Sequence, residues 1–130
     1  PSKTFNNPFK TFYFRYIKKQ NPYSLIAVED LLSKFKKNIK IIQGDTNKIL
    51  HEINLKNIDF IFIDGGHDYK TVKNDLVQSF KMISKNGTIL CDDWNLSQAL
   101  GVREAIKDFS KEKNINFEIV YERFAQFTLQ

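Results

Sequence analysis

Two short apolar runs that end in carboxylates constrain the fold of this chain more than any other feature. The first, Ile58–Ile63, leads into Asp-Gly-Gly-His at 64–67, and the second, Thr88–Cys91, leads into Asp92 and Asp93. Runs of this length are too short for a buried helix and are typical of strands buried on both faces of a parallel sheet. The two runs therefore predict neighbouring strands of an α/β fold.

The carboxylates at the ends of these runs predict a ligand site. Open α/β sheets bind their ligands at the carboxyl ends of the strands, so we expect Asp64, Asp92 and Asp93 to lie at one edge. Three carboxylates at one edge repel each other unless a cation or a donor-rich ligand is bound. An all-oxygen set of ligands selects Mg²⁺, Ca²⁺ or Mn²⁺ rather than zinc. The sequence thus predicts a divalent-metal site on these three residues.

The composition and the charge narrow the class of protein. A chain of 130 residues with 42% hydrophobic and 27% charged residues is typical of a single soluble domain. The net charge of +5 is uneven, because residues 1–38 hold eight basic residues against two acidic ones. A basic segment can attract nucleic acid or an acidic partner. A solvated face explains this charge more simply, so we do not expect nucleic-acid binding.

The sequence predicts a cytoplasmic protein. It holds no apolar run near the roughly 20 residues that cross a bilayer and no signal-peptide pattern, so we expect no membrane association. Its single cysteine, Cys91, excludes an internal disulfide and fits a reducing compartment. Because Cys91 lies in a predicted strand, we expect it to be buried. The first residue is Pro rather than Met, which favours a fragment of a longer chain.

The pattern of apolar residues divides the chain into two parts. Residues 1–38 form a basic, aromatic-rich segment, with a predicted short helix over Phe9–Tyr16 and a second helix that Ser24 caps and that ends near Lys37. Residues 39–130 form an α/β domain with a mainly parallel sheet and an antiparallel closing strand pair. Its predicted elements are a strand at 39–43, helical turns at 46–53, a strand at 58–63, a helix from 68 or 69 to about 84, a strand at 88–91, a helix at 100–113, and strands at 117–121 and 124–129.

The loop after the first carboxylate-ended run is built for close contact with a ligand. Gly65 and Gly66 let the backbone approach a bound molecule and let Asp64 and His67 turn toward the same space. A histidine beside carboxylates gains a raised pKa and can act as a base, an acid or a metal ligand. An equally open alternative is that His67 caps the helix that begins at Tyr69.

Three further residues have two interpretations each. Gly44 and Asp45 follow the predicted strand at 39–43, where the Asp can accept a hydrogen bond from a ligand or cap the next helix. Trp94 follows Asp92 and Asp93, where it can form a wall of the pocket or pack on the core. The sequence predicts another turn at Lys85-Asn86-Gly87, which ends a helix with a glycine free to adopt positive φ.

The sequence blocks at 58–76, 83–94 and 101–109 resemble the carboxyl-terminal half of class I S-adenosylmethionine-dependent methyltransferases. The most similar branch has strand ends that read Ile-Asp-Gly-x-His-x-Tyr and Asp-Asp-Tyr or His-Asp-Tyr, and it includes the macrocin-type sugar O-methyltransferases. The resemblance spans residues 39–129 and implies a Rossmann-like sheet. It also implies cofactor contact for Gly44, Asp45, Asp64 and Gly65, and Mg²⁺ ligation for Asp64, Asp92 and Asp93. Proton acceptance by His67 or Asp68 is our own assignment and is not implied by the resemblance.

The resemblance implies O-methyl transfer from S-adenosylmethionine to a small hydroxylated substrate such as a sugar, with Mg²⁺ binding the substrate hydroxyl. The Gly-rich cofactor loop and the first two strands of the family do not occur in this sequence, and residues 1–38 contain no glycine. We therefore expect a fragment or a shortened form, with a rearranged sheet or a homodimer. The alternative is an inactive binding or assembly module. A metal hydrolase is disfavoured because His51 and His67 are the only histidines.

Overall fold

The structure, a computed structural model, describes residues 24–129. The chain divides into two units, with the boundary along the sequence between Gln43 and Gly44. The predicted helix over Phe9–Tyr16 lies outside the described residues. The described part of the first unit contains helix α1, Leu25–Leu31, followed by a 3₁₀ turn at Ser33–Phe35. Ser24 precedes α1 as predicted, but its side chain makes no capping hydrogen bond.

The prediction of a strand at 39–43 is wrong. The structure assigns no strand to these residues, and the side chains of Ile39, Ile41 and Ile42 are 39%, 39% and 44% exposed. An apolar run becomes a strand only when a partner completes its hydrogen bonds, and the run itself carries no information about that partner.

The second unit is an α/β domain built on a four-stranded sheet. The strand order is β1-β2-β4-β3, with β1 parallel to β2 and the other two pairs antiparallel. This confirms the α/β class and the antiparallel closing pair. The described sheet is mixed rather than mainly parallel, because one of its three strand pairs is parallel. Its strands are β1 Ile58–Ile63, β2 Ile83–Cys91, β3 Glu118–Val120 and β4 Phe124–Thr128, and its helices are α2 Thr46–Ile49, α3 Tyr69–Met82 and α4 Leu100–Lys113.

The pairing of β1 with β2 brings the two predicted strand ends together. Phe60 lies opposite Thr88, and Ile63 lies opposite Cys91. The N–H of Asp92 donates to the carbonyl oxygen of Ile63 at 2.9 Å, so the ladder continues to the residue after β2. Because the two strands are parallel and in this register, both carboxylate-bearing turns leave the same edge of the sheet.

The prediction of a turn at 85–87, between the helix and the next strand, is wrong, because these residues lie within β2. β2 begins at Ile83, directly after α3, and the register shifts between its pairings with Ile58 and Phe60. Asn86 adopts the positive φ of 66°, whereas no glycine of the described chain does. Gly87 is required for space instead, since a Cβ there would lie 3.0 Å from the carbonyl oxygen of Ile58.

The core lies between the sheet and the two long helices. Its largest fully buried side chains are Phe109, Phe127, Leu76, Ile89, Ile106 and Cys91. Phe109 of α4 meets the ring of Phe127 edge-on with centroids 5.5 Å apart, which is a favourable aromatic geometry. Cys91 is buried, as predicted, and burial raises its thiol pKa to about 12. Each such large apolar side chain contributes about 1.5–3 kcal/mol when buried.

Helices α3 and α4 pack side by side over the sheet. The hydroxyl of Tyr69 donates to Asp108 at 3.0 Å, and Lys73 pairs with Glu112 at 2.7 Å.

Between residues 24 and 129, no helix is both long and apolar enough to cross a membrane.

Candidate functional site

Two polar side chains, those of Asp64 and His67, follow β1 at the edge of the sheet. Asp64 is exposed directly after the buried Ile63, and Gly65 and Gly66 lead to His67. Helix α3 then begins at Tyr69, and the cap is Asp68, whose carboxylate accepts from the N–H of Thr71 at 3.0 Å. This bond lowers the pKa of Asp68. His67 is therefore free of the capping role that the sequence left open.

The end of β2 turns two adjacent carboxylates in one direction. Asp93 has a φ of 63°, a left-handed conformation that Asp tolerates better than most residues. Asp92, which is only 5% exposed, accepts from the N–H of Asp93 at 2.6 Å through its Oδ1 atom. Strained backbone of this kind is often found at functional sites.

Asp64, Asp92 and Asp93 together form what we call the carboxylate rim. All three line one cavity of about 10 Å³, with Gly65, Gly66 and His67 also in its wall. A cavity of this size holds about one water molecule. The structure thus brings the three predicted carboxylates to one place, around a small space.

Two polar side-chain pairs hold the rim. His67 Nε2 lies 2.8 Å from Asp93 Oδ2, which joins the ends of β1 and β2. Arg123 binds Asp92 through two parallel contacts of 2.5 Å, Nε to Oδ1 and Nη2 to Oδ2. A forked arginine–carboxylate pair of this type is among the stronger polar interactions in proteins.

Two carboxylates of the rim, Asp64 and Asp92, have pKa shifts in opposite directions. Partial desolvation of its carboxylate, and then the charges of Asp92 and Asp93, raise the pKa of Asp64. The hydrogen bonds from Arg123 lower the pKa of Asp92 despite its burial. Within one small site, neighbouring negative charges thus raise one aspartate pKa, and a bound arginine lowers another.

Arg123 is the residue that sequence reasoning missed. It was assigned to the connection between the last two strands, and it reaches Asp92 across 31 positions of the chain. The available signal was an arginine in the turn of a short hairpin, separated along the chain from Asp92 and Asp93 by one helix and one strand. Only the strand order β1-β2-β4-β3 makes that position a neighbour of the end of β2.

The rim as it is held does not fit the Mg²⁺ site that the resemblance implies. Its oxygen donors have the right chemistry for a hard cation. However, both oxygens of Asp92 are bonded to Arg123, and Asp93 is bonded to His67. Within residues 24–129, no group of three His, Cys, Asp or Glu side chains is arranged to hold a metal ion.

Gly44 and Asp45 lie at the start of α2. The Asp45 carboxylate accepts from the N–H of Asn47 at 3.0 Å and so caps this short helix. The side-chain amide of Asn47 donates to the hydroxyl of Thr71 at 3.0 Å, and Asn74 donates to the carbonyl oxygen of Thr46 at 3.3 Å. These bonds tie the α2 turn to helix α3.

A groove of about 390 Å³, which we call the β1 groove, runs beside β1 between α2 and α3. Its walls are mostly apolar, and its polar end is formed by Asp64 and Gly65, which also line the rim cavity. Asp75, only 4% exposed, adds a carboxylate to the groove, and burial raises its pKa. A Cβ on Gly65 would lie 3.3 Å from Asp75 Oδ2, so this loop passes very close to helix α3.

Helix α4 supports the loop that carries His67. A Cβ on Gly101 would lie 2.5 Å from the backbone nitrogen of Tyr69 and 2.7 Å from the carbonyl oxygen of His67. Real Cβ atoms do not approach backbone so closely. The backbone of α4 thus fixes the position of His67 by direct contact. Trp94, the other aromatic candidate, packs on Phe117 with centroids 5.3 Å apart, which favours its packing role.

Comparisons with known proteins agree with this geometry. A family model described as a methyltransferase domain matches residues 8–94, and so begins earlier than the resemblance seen in the sequence. No curated protein matches the chain in sequence.

Three solved structures, two of them O-methyltransferases by name, share the fold at low sequence identity. The O-methyltransferase NovP has a TM-score of 0.69 at 11% identity, over 90% of this chain and 49% of its own. CalS11, a TDP-rhamnose 3'-O-methyltransferase of calicheamicin biosynthesis, has 0.57 at 16%, over 91% and 55%. Fibrillarin from Aeropyrum pernix, solved with natively bound S-adenosyl-L-methionine, has 0.52 at 15%, over 82% and 52%. The chain therefore spans about half the length of each.

The family model covers more than half of the chain, and the strand order, the rim and the neighbouring folds agree with it. The chain belongs to the methyltransferase domain family and has the class I, Rossmann-like α/β fold that its sequence predicts.

Proposed function

We propose that this chain takes part in S-adenosylmethionine-dependent O-methyl transfer to a small hydroxylated substrate. The observation that carries the proposal is the convergence at one sheet edge of the carboxylate rim, the His67–Asp93 pair and the polar end of the β1 groove. Carboxyl ends of parallel strands are the usual ligand position in such folds. Family membership supplies the reaction class.

The β1 groove supports the cofactor part of the proposal. An apolar channel with a few polar groups at one end is the usual form of a small-molecule site. Asp64 and Gly65 lie at that end, and the α2 turn with Gly44 and Asp45 is tied to the neighbouring helix α3. The negative charge of the carboxylate rim favours the positively charged sulfonium group there. When bound, S-adenosylmethionine supplies an electrophilic methyl group on that sulfonium.

His67 is the proton acceptor in this proposal. Asp93 holds Nε2 of the imidazole, so the Nε2–H tautomer leaves the Nδ1 lone pair free. Nδ1 would take the proton of the substrate hydroxyl as the hydroxyl oxygen attacks the methyl group that bound S-adenosylmethionine would supply, with the methyl–sulfur electron pair leaving on sulfur. The Asp93 carboxylate then stabilises the imidazolium. Asp68, the second candidate from the sequence, already uses its carboxylate to cap helix α3.

The identity of the methyl acceptor, the role of a metal ion, the cellular location and the oligomeric state stay predictions. A sugar hydroxyl is the expected acceptor, in keeping with the sugar-nucleotide substrate in the name of CalS11. Because Asp92 is already bonded to Arg123, no step of the proposed reaction runs through Mg²⁺. A cytoplasmic location and a homodimer also follow only from the sequence, and sedimentation velocity tests the latter.

Binding of S-adenosylhomocysteine tests the proposal. We expect it to raise the melting temperature of the 130-residue chain in EDTA, and to do so less in an Asp64→Ala variant. Ligand that binds only the folded state stabilises it by about 2.7 kcal/mol at one hundred times Kd. Adenosine serves as the control ligand, and we expect a smaller shift. Absence of any shift in both EDTA and Mg²⁺ would contradict the proposal and favour an inactive binding module.

A further inference from the structure

We infer that the guanidinium of Arg123 is the resident cation of the carboxylate rim, in the position where a divalent metal ion would otherwise bind. In this reading the chain carries its own positive charge to Asp92 and excludes metal ions from the rim. The inference concerns the charge balance of the folded protein, and it holds whether or not the chain transfers a methyl group.

The contacts of Arg123 leave Asp92 little capacity for another cation. The fork of Nε and Nη2 covers both carboxylate oxygens, and Oδ1 also accepts the N–H of Asp93. Because Asp92 is only 5% exposed, water has little access to its carboxylate. A metal ion at Asp92 would have to displace a planar donor whose geometry matches the carboxylate.

The backbone around Arg123 holds it in place. The two residues before it, Tyr121 and Glu122, have positive φ angles of 52° and 58° and form a tight turn between β3 and β4. The N–H of Arg123 donates to the carbonyl oxygen of Val120 at 3.2 Å, and its own carbonyl oxygen accepts from the N–H of Trp94 at 2.9 Å. Primed turns of this kind match the twist of a hairpin, but they favour Gly and Asn over Tyr and Glu.

The side chain of Arg123 is also restrained along its length. Its guanidinium carbon lies 5.2 Å from the centroid of the Phe124 ring, within the range of a cation–π contact. The hairpin, the bond to Trp94 and the ring together aim the guanidinium at the end of β2. Although its side chain is 54% exposed, Arg123 is thus not a freely rotating surface residue.

The position of Arg123 suits it to balance the whole rim. Asp92, which the guanidinium covers, lines the same small cavity as Asp64 and Asp93. A divalent cation entering the rim would meet this fixed positive charge at short range. Among the described residues, removal of the guanidinium leaves the three carboxylates with His67 beside Asp93, and that arrangement favours a hard divalent cation.

Binding of Mn²⁺ to the 130-residue chain, followed by the electron paramagnetic resonance signal of free Mn²⁺, tests the inference. We expect Arg123→Gln to bind Mn²⁺ at least about tenfold more tightly than the wild type, a change of roughly 1.4 kcal/mol. Arg103→Gln removes the same charge from helix α4 and is the matched control, with an affinity expected to equal that of the wild type. Equal affinity of wild type and Arg123→Gln, or tighter binding by the wild type, would overturn the inference.

A second variant decides the matter if Arg123→Gln fails to fold. Arg123→Met removes the charge but keeps an unbranched side chain beside Phe124, so we expect an Mn²⁺ affinity above that of the wild type. Circular dichroism confirms that each variant is folded. An Arg123→Met affinity no higher than wild type would then count against the inference. Because S-adenosylhomocysteine is absent from these titrations, their outcome is separate from that of the cofactor-binding experiment.

Discussion

The ends of β1 and β2 begin from the same sequence pattern and reach opposite electrostatic states. Each is an apolar strand followed at once by Asp. Asp64 at the end of β1 is exposed and has a raised pKa, whereas Asp92 at the end of β2 is buried and has a lowered one. The difference comes from Arg123, which bonds to Asp92 and not to Asp64. The partner that the fold delivers, and not the strand pattern, sets the charge state.

The largest expected effect comes from breaking the link between the two strand ends. We expect His67→Ala to slow methyl transfer by roughly 10²–10⁴-fold, because it removes the proton acceptor that Asp93 orients. Transfer of a labelled methyl group to a sugar acceptor measures the effect. His51→Ala, which changes the exposed second histidine, is the control and should retain activity. Undiminished activity of His67→Ala would remove this residue from the mechanism.

A smaller effect is expected from moving the end of β1 without changing its chemistry. Gly101→Ala forces a Cβ against the backbone of His67 and Tyr69, so we expect a loss of about 1–3 kcal/mol in the free energy of unfolding. Urea unfolding measures this loss. At Gly44, the new Cβ would meet only the flexible side chain of Ile49, so Gly44→Ala should cost less. A Gly101→Ala protein as stable as wild type would show that the contact is not tight.

Neutralising each carboxylate in turn sharpens the comparison directly. Asp92→Asn weakens the two bonds from Arg123, and we expect it to lower the free energy of unfolding by about 1–2 kcal/mol. Asp64→Asn removes repulsion, so we expect no loss and a gain of up to about 0.5 kcal/mol at pH 7. Guanidinium unfolding compares the two variants. A larger loss for Asp64→Asn than for Asp92→Asn would contradict the assignment of charges.

The smallest expected effect is a difference in pH dependence. Because its folded pKa is lowered, Asp92 contributes stability that is present above the ordinary value of 3.8 and is lost as the pH falls through the folded pKa. Because its folded pKa is raised, Asp64 contributes stability that is full below 3.8 and is lost as the pH rises through the folded pKa.

Urea unfolding between about pH 3 and pH 7 measures both contributions. We expect the advantage of wild type over Asp92→Asn to shrink as the pH falls. The advantage of wild type over Asp64→Asn should instead shrink as the pH rises. Parallel curves for the two variants would mean that the carboxylates share one environment.

The local part of this fold is readable from the sequence. The periodicity of Val102, Ala105, Ile106 and Phe109 predicts helix α4 with the bounds that the structure shows, Leu100–Lys113. The two apolar runs likewise predict β1 and the paired end of β2. In each case the side chains that set the pattern are neighbours along the chain, so the periodicity itself records the buried face.

The non-local part is not readable in the same way. Residues 39–43 have the pattern of a strand but no strand forms, since pairing depends on a partner elsewhere. The sequence places Arg123 in the connection between two strands. In the structure it binds a carboxylate of the rim, because the hairpin of β3 and β4 places it beside the end of β2. The predicted metal site therefore contained the right carboxylates without the arginine that now balances one of them.

Titration of the aspartate side chains by carbon-13 nuclear magnetic resonance tests this account most directly. We predict that Asp64 titrates above the usual range of aspartates and Asp92 below it, and that Arg123→Gln raises the pKa of both. Two ordinary pKa values, or a pair unmoved by Arg123→Gln, would mean that the strand ends do not share one site built around that guanidinium.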